Sequence, residues 1–176
     1  DVNNFAQQLA TVLVTLNPST ISGNFIYSNS GDGVWLFSEN LGAVFVSGNF
    51  IGTDPTGDLP LGNAGAGVRL SGNTFGNMIG PGNVIGANAN GINDSSPTVY
   101  LPNFVMGNRI GVPSLTPGMH VGNTNSGITT DTKPDSSINN KNPTGMSLLI
   151  GPGNIISDNK GAANSNDPDL LATDGA

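Results

Sequence analysis

The chain repeats itself at fixed distances. Gly23-Asn24-Phe25-Ile26 returns as Gly82-Asn83-Val84-Ile85, 59 residues later, and Gly48-Asn49-Phe50-Ile51 returns as Gly107-Asn108-Arg109-Ile110, again 59 residues later. Ile79-Gly80-Pro81-Gly82-Asn83 returns as Ile150-Gly151-Pro152-Gly153-Asn154 at an offset of 71. The longer interval reflects an insertion in the second copy. Ten residues separate Val68 from Ile79, and twenty-one separate Ile128 from Ile150. An internal repeat of this kind constrains architecture more than any composition does, because each unit must bury its apolar face against its neighbours.

A second mark follows each Gly-Asn word: Gly33-Val34, Gly67-Val68, Gly91-Ile92 and Gly127-Ile128. Short β-rich runs lie between the marks, among them Val34-Trp35-Leu36-Phe37, Val44-Phe45-Val46, Val99-Tyr100-Leu101 and Phe104-Val105-Met106. Gly, Asn, Ser or Pro bounds each run, which is strand-and-turn punctuation. No sustained helical period occurs between Ser22 and Gly161. Short strands, sharp corners and no intervening helix predict an all-β solenoid, a right-handed parallel β-helix of about six or seven coils.

The corners are expected at Gly23-Asn24, Gly48-Asn49, Gly82-Asn83, Gly107-Asn108 and Gly153-Asn154. Gly and Asn both tolerate the left-handed backbone of a sharp corner. An inward Asn repeated at one corner can also bond to its equivalents above and below as an amide ladder. A structural role explains these residues more simply than a ligand role.

The spacing divides the chain into three parts. Residues 1–22 are an N-terminal cap or first coil. Phe5, Leu9 and Val12 or Leu13 predict a short capping helix over Asp1–Leu13, with Thr11–Leu16 as a first strand the alternative. Residues 23–158 are the β-helix, interrupted at 129–145 by a polar insertion read as a loop. Residues 159–176 are a polar tail or linker. The opening at Asp1 suggests a mature secreted form or an excised segment.

Gly48-Asn49-Phe50-Ile51-Gly52-Thr53-Asp54-Pro55-Thr56-Gly57, followed by Leu61-Gly62-Asn63 and Gly67-Val68, resembles the repeat of bacterial secreted and surface-attached right-handed parallel β-helix proteins. Ile79–Ile85 belongs to the same pattern. The resemblance covers roughly residues 20–160. It departs in the second copy, where Val112-Pro113-Ser114-Leu115 replaces Thr53-Asp54-Pro55-Thr56. It implies an exported β-helix and points to no particular activity.

Charge and residue chemistry narrow the functions. The net charge of −7, with basic residues only at Arg69, Arg109, Lys133, Lys141 and Lys160, offers no phosphate-tracking stripe and argues against nucleic acid. The absence of cysteine removes disulfides, zinc–thiolate sites and thiol nucleophiles. No apolar run reaches the roughly 20 residues of a membrane span.

Because the fold also carries glycan lyases and hydrolases, paired acids matter. Asp54 and Asp58 are the best local pair for glycoside hydrolysis, but they flank a turn that uses Asp for its own backbone bonds. Arg69 and Arg109 have no acids beside them in sequence, and His120 has no motif around it. Asn93-Asp94-Ser95 is a formal glycosylation sequon. No catalytic, cofactor-binding or metal-ligating set emerges, and no cofactor is expected.

The reading is therefore a non-catalytic extracellular structural or adhesive module, such as a surface stalk or filament subunit. The alternative is a polysaccharide-binding or polysaccharide-cleaving β-helix. Self-association, or further coils of a longer chain, is expected at Leu148, Leu149, Ile150, Ile155 and Ile156, since the chain turns polar after Ile156 without an apolar lid. A cell-surface glycan is a second candidate partner.

Overall fold

The structure, a computed structural model, describes residues 18–38, 43–96, 102–113, 119–130 and 148–160. The expected capping helix and alternative first strand lie outside the described residues, as do Val99-Tyr100-Leu101 and most of the insertion and tail. Among the described residues there are strands and turns and no helix.

Fourteen short strands form three parallel sheets. Sheet A is β1 (Ser19–Ser22), β4 (Val44–Ser47), β7 (Met78–Ile79), β10 (Asn103–Val105) and β13 (Leu148–Ile150), in that spatial order. Sheet B is β2 (Phe25–Ile26), β5 (Phe50–Ile51), β8 (Val84–Ile85), β11 (Arg109–Ile110) and β14 (Ile155–Ile156). Sheet C is β3 (Val34–Ser38), β6 (Ala66–Gly72), β9 (Asn90–Asp94) and β12 (Ile128–Thr130). The chain visits A, B and C in turn, so each strand pairs with the strand one circuit away. That is the arrangement of a β-solenoid.

Register stacks like on like. In sheet B, Ile26, Ile51, Ile85, Ile110 and Ile156 form one inward column. In sheet A the inward column is Ile21, Val46, Ile79, Val105 and Ile150. In sheet C it is Val34, Val68, Ile92 and Ile128. These columns make up most of the single apolar core. β-branched side chains dominate because they pack well on a pleated surface.

The glycines of the second repeated mark have a packing cause. A Cβ on Gly67 would lie 2.6 Å from Ile85 Cγ2 and 2.8 Å from Asn88 Nδ2. Gly33, Gly91 and Gly127 meet the equivalent Ile and Asn of their own neighbouring coils. A side chain there would collide with both the core and a corner.

Two boundaries shift. Thr129 and Thr130 continue β12, paired with Asn93 and Asp94, so the polar loop expected at 129–145 starts beyond them. Asn159, assigned to the tail by its polar surroundings, bonds to Asn123 and belongs to the solenoid.

Candidate functional site

The corner between sheets A and B carries a five-rung amide ladder: Asn24, Asn49, Asn83, Asn108 and Asn154. Each Nδ2 donates to the Oδ1 of the next rung, from Asn24 to Asn49 at 3.1 Å through Asn108 to Asn154 at 3.1 Å. The same Nδ2 groups also donate back to strand carbonyls, Asn49 to Ile21 and Asn83 to Val46. The backbone N–H groups of Asn24, Asn49 and Asn108 add a second donor to the same Oδ1 atoms. Asn49, Asn83 and Asn108 are fully buried, with their amide groups paired. The glycine before each rung takes the left-handed conformation, with φ from +63° at Gly48 to +81° at Gly82. None of the five Asn does so. The glycine makes the bend, and the asparagine fills it.

A second ladder runs along the corner between sheets B and C: Asn29, Asn63, Asn88, Asn123 and Asn159. Its bonding is the same, and Asn63, Asn88 and Asn123 are buried. The residues alone had shown only the first ladder. The signal for the second was present as Gly-Asn-x-Ile-x-x-Asn at 23–29, 82–88 and 153–159. It is hidden in the intervening circuits because thirteen residues stand between Asn49 and Asn63 and fourteen between Asn108 and Asn123.

The third corner is different. Asn77 Nδ2 donates to Asn103 Oδ1 at 2.8 Å, and Asn103 Nδ2 reaches Asp94 Oδ2 at 3.2 Å and Ser96 Oγ at 3.2 Å. Asp94 also accepts the Ser96 backbone N–H at 2.9 Å and its hydroxyl. Asp94 occupies the inward column of Leu36 and Leu70, where an apolar residue would be usual. Burial pushes its carboxyl above the ordinary range, opposed by the bonds from Ser96 and Asn103. The sequon that contains it lies within and just after β9, with Asp94 buried, Asn93 half-buried and Ser95 exposed.

The acids considered for catalysis are otherwise engaged. Asp54 accepts the backbone N–H groups of Asp58 and Leu59 at 3.0 and 2.9 Å and the Thr56 hydroxyl at 2.7 Å. The Thr56 and Leu59 bonds lead in holding its carboxyl down at about 2. This is a turn built around a carboxylate, and Asp58 contributes its backbone to it. Arg69 does have an acid beside it, contrary to its sequence neighbourhood: Nε lies 3.2 Å from Asp32 Oδ2, one coil away. The contact is a charge pair without hydrogen-bond alignment. His120 is exposed, with Nδ1 2.9 Å from Asp158 Oδ2. Among the described residues, no three His, Asp or Glu side chains gather as metal ligands. No described helix is long and apolar enough to cross a membrane.

The outer faces carry the exposed apolar groups. On β3, Trp35 is 61% and Phe37 59% exposed, edge-to-face at 5.8 Å, with the indole N–H donated to Ser71 Oγ at 2.7 Å. On sheet B the outward column is Phe25, Phe50, Val84, Arg109 and Ile155. Phe25 and Phe50 stack with centroids 5.6 Å apart.

The residues expected at an assembly contact divide. Leu148 is buried, Leu149 and Ile155 point outward and are exposed, and Ile150 and Ile156 end the inward columns half-buried. No protein-family profile, curated protein or solved structure matches this chain.

Proposed function

We propose that this chain is a non-catalytic structural or adhesive module of the cell exterior, a stalk or filament segment built as a right-handed parallel β-helix. The observation that carries the reading is the pair of five-rung amide ladders. They run the full described length of two corners and commit ten asparagine side chains to rigidity. Buried, fully paired amides specify one register and resist shear between coils. Right-handedness follows from the general preference of parallel crossover connections. About six or seven coils remain the expectation from the repeat spacing. The resemblance to exported bacterial β-helix proteins supports an extracellular location.

The engaged carboxylates support the absence of turnover. Asp54 is bound into its own turn and Asp94 lies in the core, so neither is set across a groove from a second acid as glycoside hydrolysis requires.

The alternative, a polysaccharide-binding surface, is favoured by one observation, the exposed Trp35–Phe37 pair. Flat sheets presenting aromatic faces beside polar groups suit stacking against sugar rings.

Immunogold labelling of intact parent cells tests the location, and incubation with acidic and neutral polysaccharides tests the chemistry. Surface label with no depolymerisation is expected. Label confined to the cell interior, or chain cleavage lost in Asp54→Asn, overturns the reading.

A further inference from the structure

The outer face of sheet C grades from aromatic to hydrogen-bonding along the solenoid axis. Trp35, Arg69, Asn93 and Thr129 are register partners on β3, β6, β9 and β12 and form one outward row. Phe37 and Ser71 stand beside its first two members. Neighbours in a row are about 4.8 Å apart.

Trp35 is held in place. Its indole N–H is donated to Ser71 Oγ at 2.7 Å, and Phe37 meets it edge-to-face at 5.8 Å. The residue is nonetheless 61% exposed. A ring that is already fixed loses little freedom when a ligand covers it. A hydroxyl that accepts can still donate, so Ser71 offers its O–H to the same ligand.

The charge beside the ring is balanced. Arg69 Nε lies 3.2 Å from Asp32 Oδ2, with the Arg69 side chain 42% exposed and that of Asp32 14%. Asp32 Oδ1 accepts the Ala66 N–H at 2.7 Å, which fixes the carboxylate. The pair sets guanidinium donors and a carboxylate acceptor side by side without net charge.

Area narrows the partner. Four strands of at most seven residues give a face on the order of 300 Å². A stable protein contact needs about 800 Å² from each partner. The face suits a narrow, extended ligand with apolar surface on one side and alternating donors and acceptors around it. A pyranose ring has that character, with a C–H face that stacks on an indole and a rim of hydroxyls.

We propose that the outer face of sheet C binds an uncharged polysaccharide laid along the solenoid axis, with one ring on Trp35 and the hydroxyls of the next on Arg69, Asp32 and Asn93. The proposal rests on the polysaccharide-binding reading above and names its ligand class. A polyuronate is disfavoured, because Asp32 already neutralises Arg69 and the chain carries a net charge of −7.

Trp35 is the one tryptophan of the chain, so intrinsic tryptophan fluorescence reads this face alone. The full chain is titrated with a neutral β-glucan, a galactomannan and polygalacturonate. A neutral glycan is expected to shift the emission saturably, and equally at low and high salt, since an uncharged ligand is not screened. Arg69→Ala keeps the reporter and should bind at least tenfold more weakly. Asp32→Asn keeps an oxygen for the Ala66 N–H, leaves Arg69 unbalanced and should gain affinity for polygalacturonate. Circular dichroism checks the folding of both variants, and where Arg69→Ala does not fold, Asp32→Asn decides.

No shift with any of the three glycans, a wild-type preference for polygalacturonate, an unchanged affinity in Arg69→Ala, or no gain for polygalacturonate in Asp32→Asn overturns the proposal. Cleavage of a glycan that shifts Trp35 removes the non-catalytic reading and leaves this binding face standing.

Discussion

Asn83 stands directly over Asn108, its Nδ2 2.8 Å from the Asn108 Oδ1, while its own Oδ1 accepts both the backbone and side-chain N–H of Asn49. One buried side chain thus serves three coils. Replacing it with leucine keeps the branching and removes every bond. The Asn49 backbone N–H and Asn108 Oδ1 are then left without a partner in the dry interior, while Asn49 Nδ2 and the Val46 carbonyl keep their bonds to Ile21, Ser47 and Gly80. Each orphaned group costs about 1–3 kcal/mol. Asn83→Leu should lower the denaturant midpoint sharply, and Asn24→Leu, at the exposed first rung, should lower it much less. Equal losses at the two positions would contradict the ladder's role in stability.

The glycine column makes a packing prediction. Gly67→Ala would place a methyl group 2.6 Å from Ile85 Cγ2 and 2.8 Å from the Gly91 carbonyl. Overpacking of this kind costs about 1–3 kcal/mol. Gly31→Ala meets nothing within 4 Å and should be near neutral. Thermal unfolding of the two variants side by side gives the comparison.

Asp94 makes stability depend on pH in an unusual direction. Its folded carboxyl is raised by burial, so the folded state holds a proton that the unfolded chain releases above about pH 4. Its contribution is full below the unfolded value and is lost as pH rises through the folded value. Asp94→Asn should flatten the fall of unfolding free energy with pH above about pH 4. An unchanged slope would show that Asp94 titrates in the core as it does in water.

Asp54 acts in the opposite sense. Its carboxyl is lowered to about 2, chiefly by the Thr56 hydroxyl and the Leu59 N–H. Its contribution is present above the ordinary carboxylate value and is lost as pH falls toward 2. Asp54→Asn should therefore lower stability at neutral pH and flatten its loss as pH falls toward 2. Circular dichroism across that range reads it directly.

Trp35→Ala tests the runner-up function. If the exposed β3 face stacks on sugar rings, affinity electrophoresis through embedded polysaccharide should retard wild type and release the variant. Equal mobility of the two, with and without glycan, would remove that reading.

The repeated Gly-Asn words made the first ladder legible, because a corner constrains both residue types at once: glycine for the left-handed bend and asparagine for the amide. The second ladder was harder to see. Asn63 follows Asn49 by fourteen positions and Asn123 follows Asn108 by fifteen, which breaks the five-residue spacing kept elsewhere. Sheet B was nearly invisible as strands, since each of its members is two residues long and too short for any period. The pairing of Arg69 with Asp32 was unreadable because it crosses between coils. The Gly33, Gly67, Gly91 and Gly127 marks were plain, but their cause is a collision with Ile and Asn side chains from other coils, which only the folded chain brings together.

The loop at Gly52–Gly62 interrupts the circuit between the two ladders. It is pinned at its neck, where the Leu61 N–H donates to the Gly52 carbonyl at 2.9 Å and the Ser28 N–H to the Leu61 carbonyl at 2.9 Å. Beyond that neck, the loop's length and sequence are decoupled from the interior. Such a loop can be rewritten by evolution, or by grafting, while the scaffold behind it stays unchanged. Variation and permanence are thus confined to different sides of one molecule.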